Sequence, residues 1–180
     1  MAFIVPDELL AQLRARRAEQ RAGHEQAASQ SPASAGNFID SLRDLFSGRI
    51  DVHGAAESYV GAMSQWQAEI EDAEDAFLLD PGMGPMVYLT ADGRVLRDHR
   101  GWDGAEVEEV GGDEAIAAIL VGAKKTGIDA LLQLVPPAPP GSVQCSNCRG
   151  SRWAEPVAGF GVEWPCRLCG GRGWAMDGDS

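Results

Sequence analysis

All four cysteines of the chain lie in its last forty residues, in a frame that fixes what this tail can become. They are Cys145, Cys148, Cys166 and Cys169, spaced C-x2-C-x17-C-x2-C. Each pair also carries the same downstream residues. Cys145-Ser-Asn-Cys148-Arg-Gly150-Ser-Arg-Trp153 aligns with Cys166-Arg-Leu-Cys169-Gly-Gly171-Arg-Gly-Trp174, so the unit C-x-x-C-x-G-x-x-W occurs twice, 21 residues apart. Two cysteines three positions apart reach one ion from a tight turn, and zinc accepts four thiolates in a tetrahedron. Gly150 and Gly171 let the backbone fold back after each pair, where a Cβ would clash. Two other chemistries use cysteine pairs. Disulfides suit an oxidising compartment, and a redox C-x-x-C comes once, beside a βαβ pattern. Duplication disfavours the redox reading, and the N-terminus gives no export signal to favour disulfides. The spacing predicts one structural zinc ion on Cys145, Cys148, Cys166 and Cys169. Trp153 is expected to pack against the metal loops, and Trp174 either to pack or to face a partner.

The repeat resembles the cysteine-rich zinc finger of DnaJ-type co-chaperones, whose unit is C-x-x-C-x-G-x-G. Residues Cys166 to Gly173 fit that unit fully, and Cys145 to Arg152 fit it except that Arg152 replaces the last glycine. The DnaJ finger has four units and two zincs, whereas this chain has two units and no His-Pro-Asp tripeptide, the J-domain signature. The resemblance spans about 30 of the 180 residues and implies a metal-bound β-hairpin knuckle, not a co-chaperone.

The chain as a whole is ordinary in composition, 44% apolar, but not in charge. The net charge is −12, and residues 51–140 carry all of it, with five basic and seventeen acidic side chains. An acidic domain repels phosphate backbones and attracts basic protein surfaces. Met1-Ala-Phe-Ile-Val5 lacks a basic flank and is cut short by Pro6, and no apolar run reaches membrane length. A cytoplasmic protein is the expectation.

Pro6-Asp7-Glu8 is a helix start. Leu9, Leu10 and Leu13 give a stripe only one turn long before Arg14, Arg16, Arg17 and Arg21 take over, so residues 1–28 read as a solvated helical arm. Residues 29–36, rich in serine and alanine, read as a flexible linker. Asn37 is expected to cap a short helix bearing Phe38, Leu42 and Leu45. A long helix is predicted from about Ala56 to Leu79, because Tyr59, Met63, Trp66, Ile70, Ala73 and Phe77 step by four and three. That seam faces either the core of the domain or a coiled-coil partner. Met86–Thr90 and Arg94–Asp98 flank Asp92-Gly93 as a β-hairpin. Ala105–Val110 suggests another strand, and Asp113 the cap of a helix that stops at Gly127. The fold class is α+β, with helices on a small antiparallel sheet over 37–135. A Pro-rich spacer (136–142) sets apart a zinc ribbon (143–175), and a short tail (176–180) ends the chain.

Several other constellations carry less. Gly122-Ala-Lys124-Lys125-Thr126 lacks the glycines of a phosphate loop and fits the basic last turn of a helix. His24, His53 and His99 pair with no nucleophile. Asp92, Asp98 and Asp103 are close enough in sequence to hold a metal but more often serve turns. The hairpin Tyr88-Leu89…Asp92-Gly93-Arg-Val95, with the helix from Asp113, resembles the later half of SUKH-superfamily proteins, many of which are bacterial immunity proteins. That resemblance implies neutralisation of a toxin, and an acidic surface would suit a basic nuclease as the target. The leading expectation is a non-enzymatic zinc-containing adaptor whose acidic domain binds a basic partner protein. The alternative is nucleic-acid binding by the ribbon through Arg149, Arg152, Arg167 and Arg172 beside Trp153, Trp164 and Trp174.

Overall fold

The computed structural model describes residues 2–30, 38–80, 85–99, 107–155 and 163–176. Its centre is an antiparallel meander of four strands in chain order: β1 (Ala76–Asp80), β2 (Met86–Thr90), β3 (Val95–Asp98) and β4 (Val107–Val110). Side chains alternate across a strand, so apolar residues at consecutive positions must be buried on both faces. Ala76, Leu78, Met86, Tyr88 and Leu96 fill one face. Phe77, Leu79, Leu89, Val95 and Val110 fill the other. Helix α3 (Val52–Ala73) covers the first through Ile70, with Met63 and Trp66 packed alongside. The second lies under α1 (Asp7–Gln30), α4 (Gly112–Thr126) and a 3-10 turn over Asp129–Leu134. A short helix α2 (Phe38–Phe46) packs on α3. The fold class is therefore α+β, built on a small antiparallel sheet.

The expected long helix is shorter than its periodicity suggested. It ends at Ala73, Asp75 takes a left-handed φ of 42°, and Phe77 belongs to β1 opposite Leu89. A seam of period 3.5 cannot bury Ala76, Phe77, Leu78 and Leu79 together, whereas a strand between two helical layers does. The Asp92-Gly93 hairpin forms as expected, with Tyr88 opposite Leu96 and Leu89 opposite Val95. Gly93 has φ of 87°, and the Phe3 N–H donates to its carbonyl at 2.7 Å. A Cβ at this position would overlap the Phe3 backbone.

The N-terminal helix is not a solvated arm. Leu9 and Leu13 are each only 2% exposed and belong to the main core. Burying such side chains contributes about 1.5–3 kcal/mol apiece. The arginines that follow them do specific work. Arg16 donates to the Thr126 carbonyl at 2.9 Å and Arg17 to the Glu71 carbonyl at 3.3 Å. They thus satisfy C-terminal carbonyls of α4 and α3, where positive charge also suits the helix dipole. Arg21 meets Asp72 at 2.7 Å and the buried Glu71 at 3.2 Å, and Arg17 lies over the Phe77 ring. Part of the acidic surplus is thereby neutralised from the N-terminal segment.

Helix α4 stops at Gly127 in the left-handed conformation, as the sequence implies. Its start departs from expectation. Gly111 is the N-cap residue, without a side-chain bond, and Asp113 lies in the first turn instead. The expected cap of α2, Asn37, lies outside the described residues. No helix among the described residues is long and apolar enough to cross a membrane.

Candidate metal centre

The repeat of 21 residues becomes a pseudo-twofold arrangement. Strands β5 (Ser142–Gln144) and β6 (Trp174–Met176) pair so that Gln144 faces Trp174. The matching pair from the other halves is Trp153 with Pro165, which forms an isolated bridge. Each half thus lays its tryptophan beside the residue preceding the other half's first cysteine. Hydrogen bonds follow the same symmetry: the Cys145 N–H donates to Gly173 O at 3.1 Å, and the Cys166 N–H to Arg152 O at 2.9 Å. Proline is tolerated at 165 because the bonded pairs are its neighbours. Ala154 N–H reaches Trp164 O at 2.8 Å, so an N–H on residue 165 would point out of this ladder.

After each cysteine pair the backbone turns through left-handed conformations at matching positions. The φ angles are 49°, 82° and 72° at Arg149, Gly150 and Arg152, and 55°, 81° and 86° at Gly170, Gly171 and Gly173. Gly150 and Gly171 therefore hold the conformation their positions demand, and Arg152 adopts it where the DnaJ-type unit has glycine. These turns aim four sulfurs inward. All four cysteines are buried and free, and their Sγ atoms lie within 4.8 Å of one another. Cys145 and Cys166 are 3.9 Å apart, and Cys148 and Cys169 are 3.7 Å apart. A tetrahedron of thiolates around one ion, with metal–sulfur bonds of about 2.3 Å, has edges of about 3.8 Å. The four cysteines can hold one metal ion.

Donors around the sulfurs suit thiolates. Asn147 Nδ2 donates to Cys166 Sγ at 3.2 Å, and the Gly173 N–H to Cys169 Sγ at 3.3 Å. Burial, with the neighbouring sulfurs of Cys145, Cys166 and Cys148, pushes the Cys169 thiol up to about 12. Burial also raises Cys148. At Cys166 burial is outweighed by the Asn147 amide and the backbone donors of Cys169 and Leu168, which bring the thiol down to about 6. Four buried thiolates at this spacing need a cation among them.

The proline run does not hold this knuckle away from the α+β core. Trp153 packs against the main core, with Lys124 over its ring at 5.1 Å, and Lys124 also pairs with Glu163. Gly171 faces Leu120 so closely that a Cβ would overlap it, and Gly170 meets Asp113 in the same way. Arg172 lies 3.5 Å from Asp113, rests on Trp174 and donates to the Cys169 carbonyl at 2.9 Å. Trp174 Nε1 donates to the Pro136 carbonyl at 3.4 Å. Of the four arginines singled out from the sequence, Arg149 and Arg167 are exposed, Arg152 is half-buried and Arg172 is tied down. Sequence reasoning missed Asn147, Asp113, Leu120 and Lys124 as supports of the centre. Two of them carry other expectations in the sequence, Asp113 as a helix cap and Lys124 as part of a basic last turn.

Other candidates dissolve. Asp92 accepts from the Thr90 hydroxyl and from Arg94, Asp98 is buried in the sheet, and Asp103 lies outside the described residues. Lys124 and Lys125 form the basic last turn of α4. His99 pairs with Glu108 at 2.8 Å. Among the described residues the four cysteines are the one group placed to hold a metal.

The fold and site together define an α+β domain with a four-cysteine centre lodged on its last helix. Comparison of the chain with known protein families, with curated proteins and with solved structures finds no match.

Proposed function

We propose that this chain is a non-enzymatic binding protein: one structural zinc ion shapes the C-terminal ribbon, and the acidic domain recognises a basic partner protein. The observation that carries the zinc reading is the set of four buried sulfurs at tetrahedral spacing, with N–H donors aimed at two of them. All-thiolate tetrahedra favour zinc, and a centre closed by four protein ligands leaves no open position for catalysis. Elemental analysis of the purified chain tests it directly. One zinc per chain is expected, lost in Cys148→Ser and Cys169→Ser, and a metal-free chain with accessible thiols refutes the reading.

The partner reading is supported by the charge of residues 51–140, which carry seventeen acidic and five basic side chains. Arginines of α1 engage Glu71, Asp72 and Asp75; Glu108, Glu109 and Glu114 line β4, an edge strand of the described sheet, and the start of α4, where Glu108 pairs with Arg97 and His99 and Glu114 lies 3.8 Å from Arg97. Charged side chains on a sheet edge also deter pairing with other chains, so this edge suits a charged surface better than an added strand. The resemblance of residues 85–135 to the SUKH superfamily makes an immunity-like role the specific form of this reading. Affinity capture with the intact protein should return a basic protein that Glu108→Lys with Glu114→Lys no longer retains. Retention by that double variant would overturn the assignment of this edge.

A second reading rests on Trp164, 63% exposed, with Arg149 and Arg167 also in solvent. Stackable aromatics with arginine suit single-stranded nucleic acid. Binding that falls steeply with salt would favour it, and a flat, negligible signal on DNA and RNA would eliminate it.

A further inference from the structure

We propose that metal occupancy of the four-cysteine centre governs the stability of α4, so that the ribbon and this helix form one thermodynamic unit. The inference rests on the zinc reading above and extends it to regulation. Its first support is the composition of the ribbon's interior. Among the described residues the buried cluster there consists of Cys145, Cys148, Cys166 and Cys169 alone, and the other buried apolar side chain of the ribbon is the small Ala175, which leaves little to hold the fold when the ion is withdrawn. Small metal domains of this kind are ordered only with metal bound.

The second support is the unequal use of two equivalent halves. The first half presents Arg149 and Gly150 to solvent. The second half turns the equivalent residues, Gly170 and Gly171, onto Asp113 and Leu120 of α4, where no side chain has room. Leu120 is fully buried with that cover in place. Arg172 and Asp113 approach at the first turn of α4, and Lys124, in its last turn, engages Glu163 and Trp153. The ribbon therefore touches α4 at both ends and in the middle. Losing the ion releases these contacts together and uncovers Leu120, while α3, on the opposite face of the sheet, keeps its partners. Coupling between sites is reciprocal, so weakening the contacts with α4 must weaken metal binding by the same factor.

Hydrogen exchange read by mass spectrometry on the full chain, zinc-loaded and after chelation, tests this. Exchange over 112–126 should accelerate at least roughly tenfold on chelation, the range of a modest sub-global opening, while 52–73 is unchanged. Loss of protection over 142–176 with 112–126 unaltered overturns the coupling. Protection of 142–176 that survives complete metal removal overturns the zinc reading itself, and the coupling with it. Asp113→Lys and Lys124→Glu provide the reciprocal arm through exposed positions. Competition with a chromogenic chelator should show zinc affinity reduced by roughly fivefold or more in each, with Glu57→Lys on α3 as the charge-matched control for Asp113→Lys and Arg43→Glu on α2 for Lys124→Glu. Affinities equal to the control would refute the proposal.

Discussion

Gly150 and Gly171 occupy equivalent places in the two halves, and this makes a sharp comparison available. Their φ angles are 82° and 81°, so replacement by alanine incurs the same backbone cost at each, about 1–2 kcal/mol. Their surroundings differ. A Cβ on Gly150 would meet Gln144 Nε2 at 2.7 Å, the far end of an exposed side chain that can move aside by giving up its solvent-exposed hydrogen bond to the Arg149 carbonyl. A Cβ on Gly171 would overlap Leu120 Cδ1, part of a fully buried side chain in the main core. Overpacking of that kind adds about 1–3 kcal/mol. Gly150→Ala should therefore cost about 1–2 kcal/mol and Gly171→Ala about 2–5 kcal/mol in zinc-saturated protein. Urea denaturation followed by tryptophan fluorescence and by far-ultraviolet circular dichroism measures both. The second signal reports the α+β domain and should register the difference. Equal losses in the two variants would show that the ribbon does not press on α4, and would refute the argument from close approach.

Leu13→Ala should destabilise the whole domain by about 2–5 kcal/mol, as large-to-small changes in a core do, and a change below 1 kcal/mol by the same denaturation assay would return α1 to the status of a loose arm. Arg152→Gly relieves a left-handed arginine, a gain of about 1–2 kcal/mol, against about 0.5–1 kcal/mol for the added freedom of glycine, so a small net stabilisation is expected. A thermal melt reads it. The Asp92 carboxyl is held below its usual range, first by the Thr90 hydroxyl and then by Arg94. Its folded pKa is depressed, so its contribution is complete above the unfolded value near 3.9 and disappears as pH falls through the folded value. Asp92→Asn should flatten the acid limb of the stability profile and leave the neutral region less stable by a constant amount.

Several features were legible in the residues because their causes are local. The cysteine frame gives the centre, and Asp92-Gly93 gives the β2–β3 turn. Gly127 gives the end of α4, and Met63, Trp66 and Ile70 give the face that α3 buries. What escaped is long-range. Leu9 and Leu13 make too short a stripe to signal burial on their own, and the meaning of Arg16, Arg17 and Arg21 depends on carbonyls and carboxylates at least fifty positions away. The period of α3 ran on into Phe77 because nothing between Ala73 and Ala76 is a glycine or proline, and the break came instead at Asp75. The lodging of Gly170 and Gly171 on α4 was hidden for the same reason. A glycine required by a turn and a glycine required by a neighbour look alike in one dimension.

Pro165 carries one more implication. An ordinary residue there would offer an outward amide to any passing extended segment, and a cysteine knuckle with two such margins could stack with its own kind. With proline in place, position 165 has no N–H to offer on that margin. Oligomers of this protein should therefore not grow through that side, and Pro165→Val is the change that would invite them.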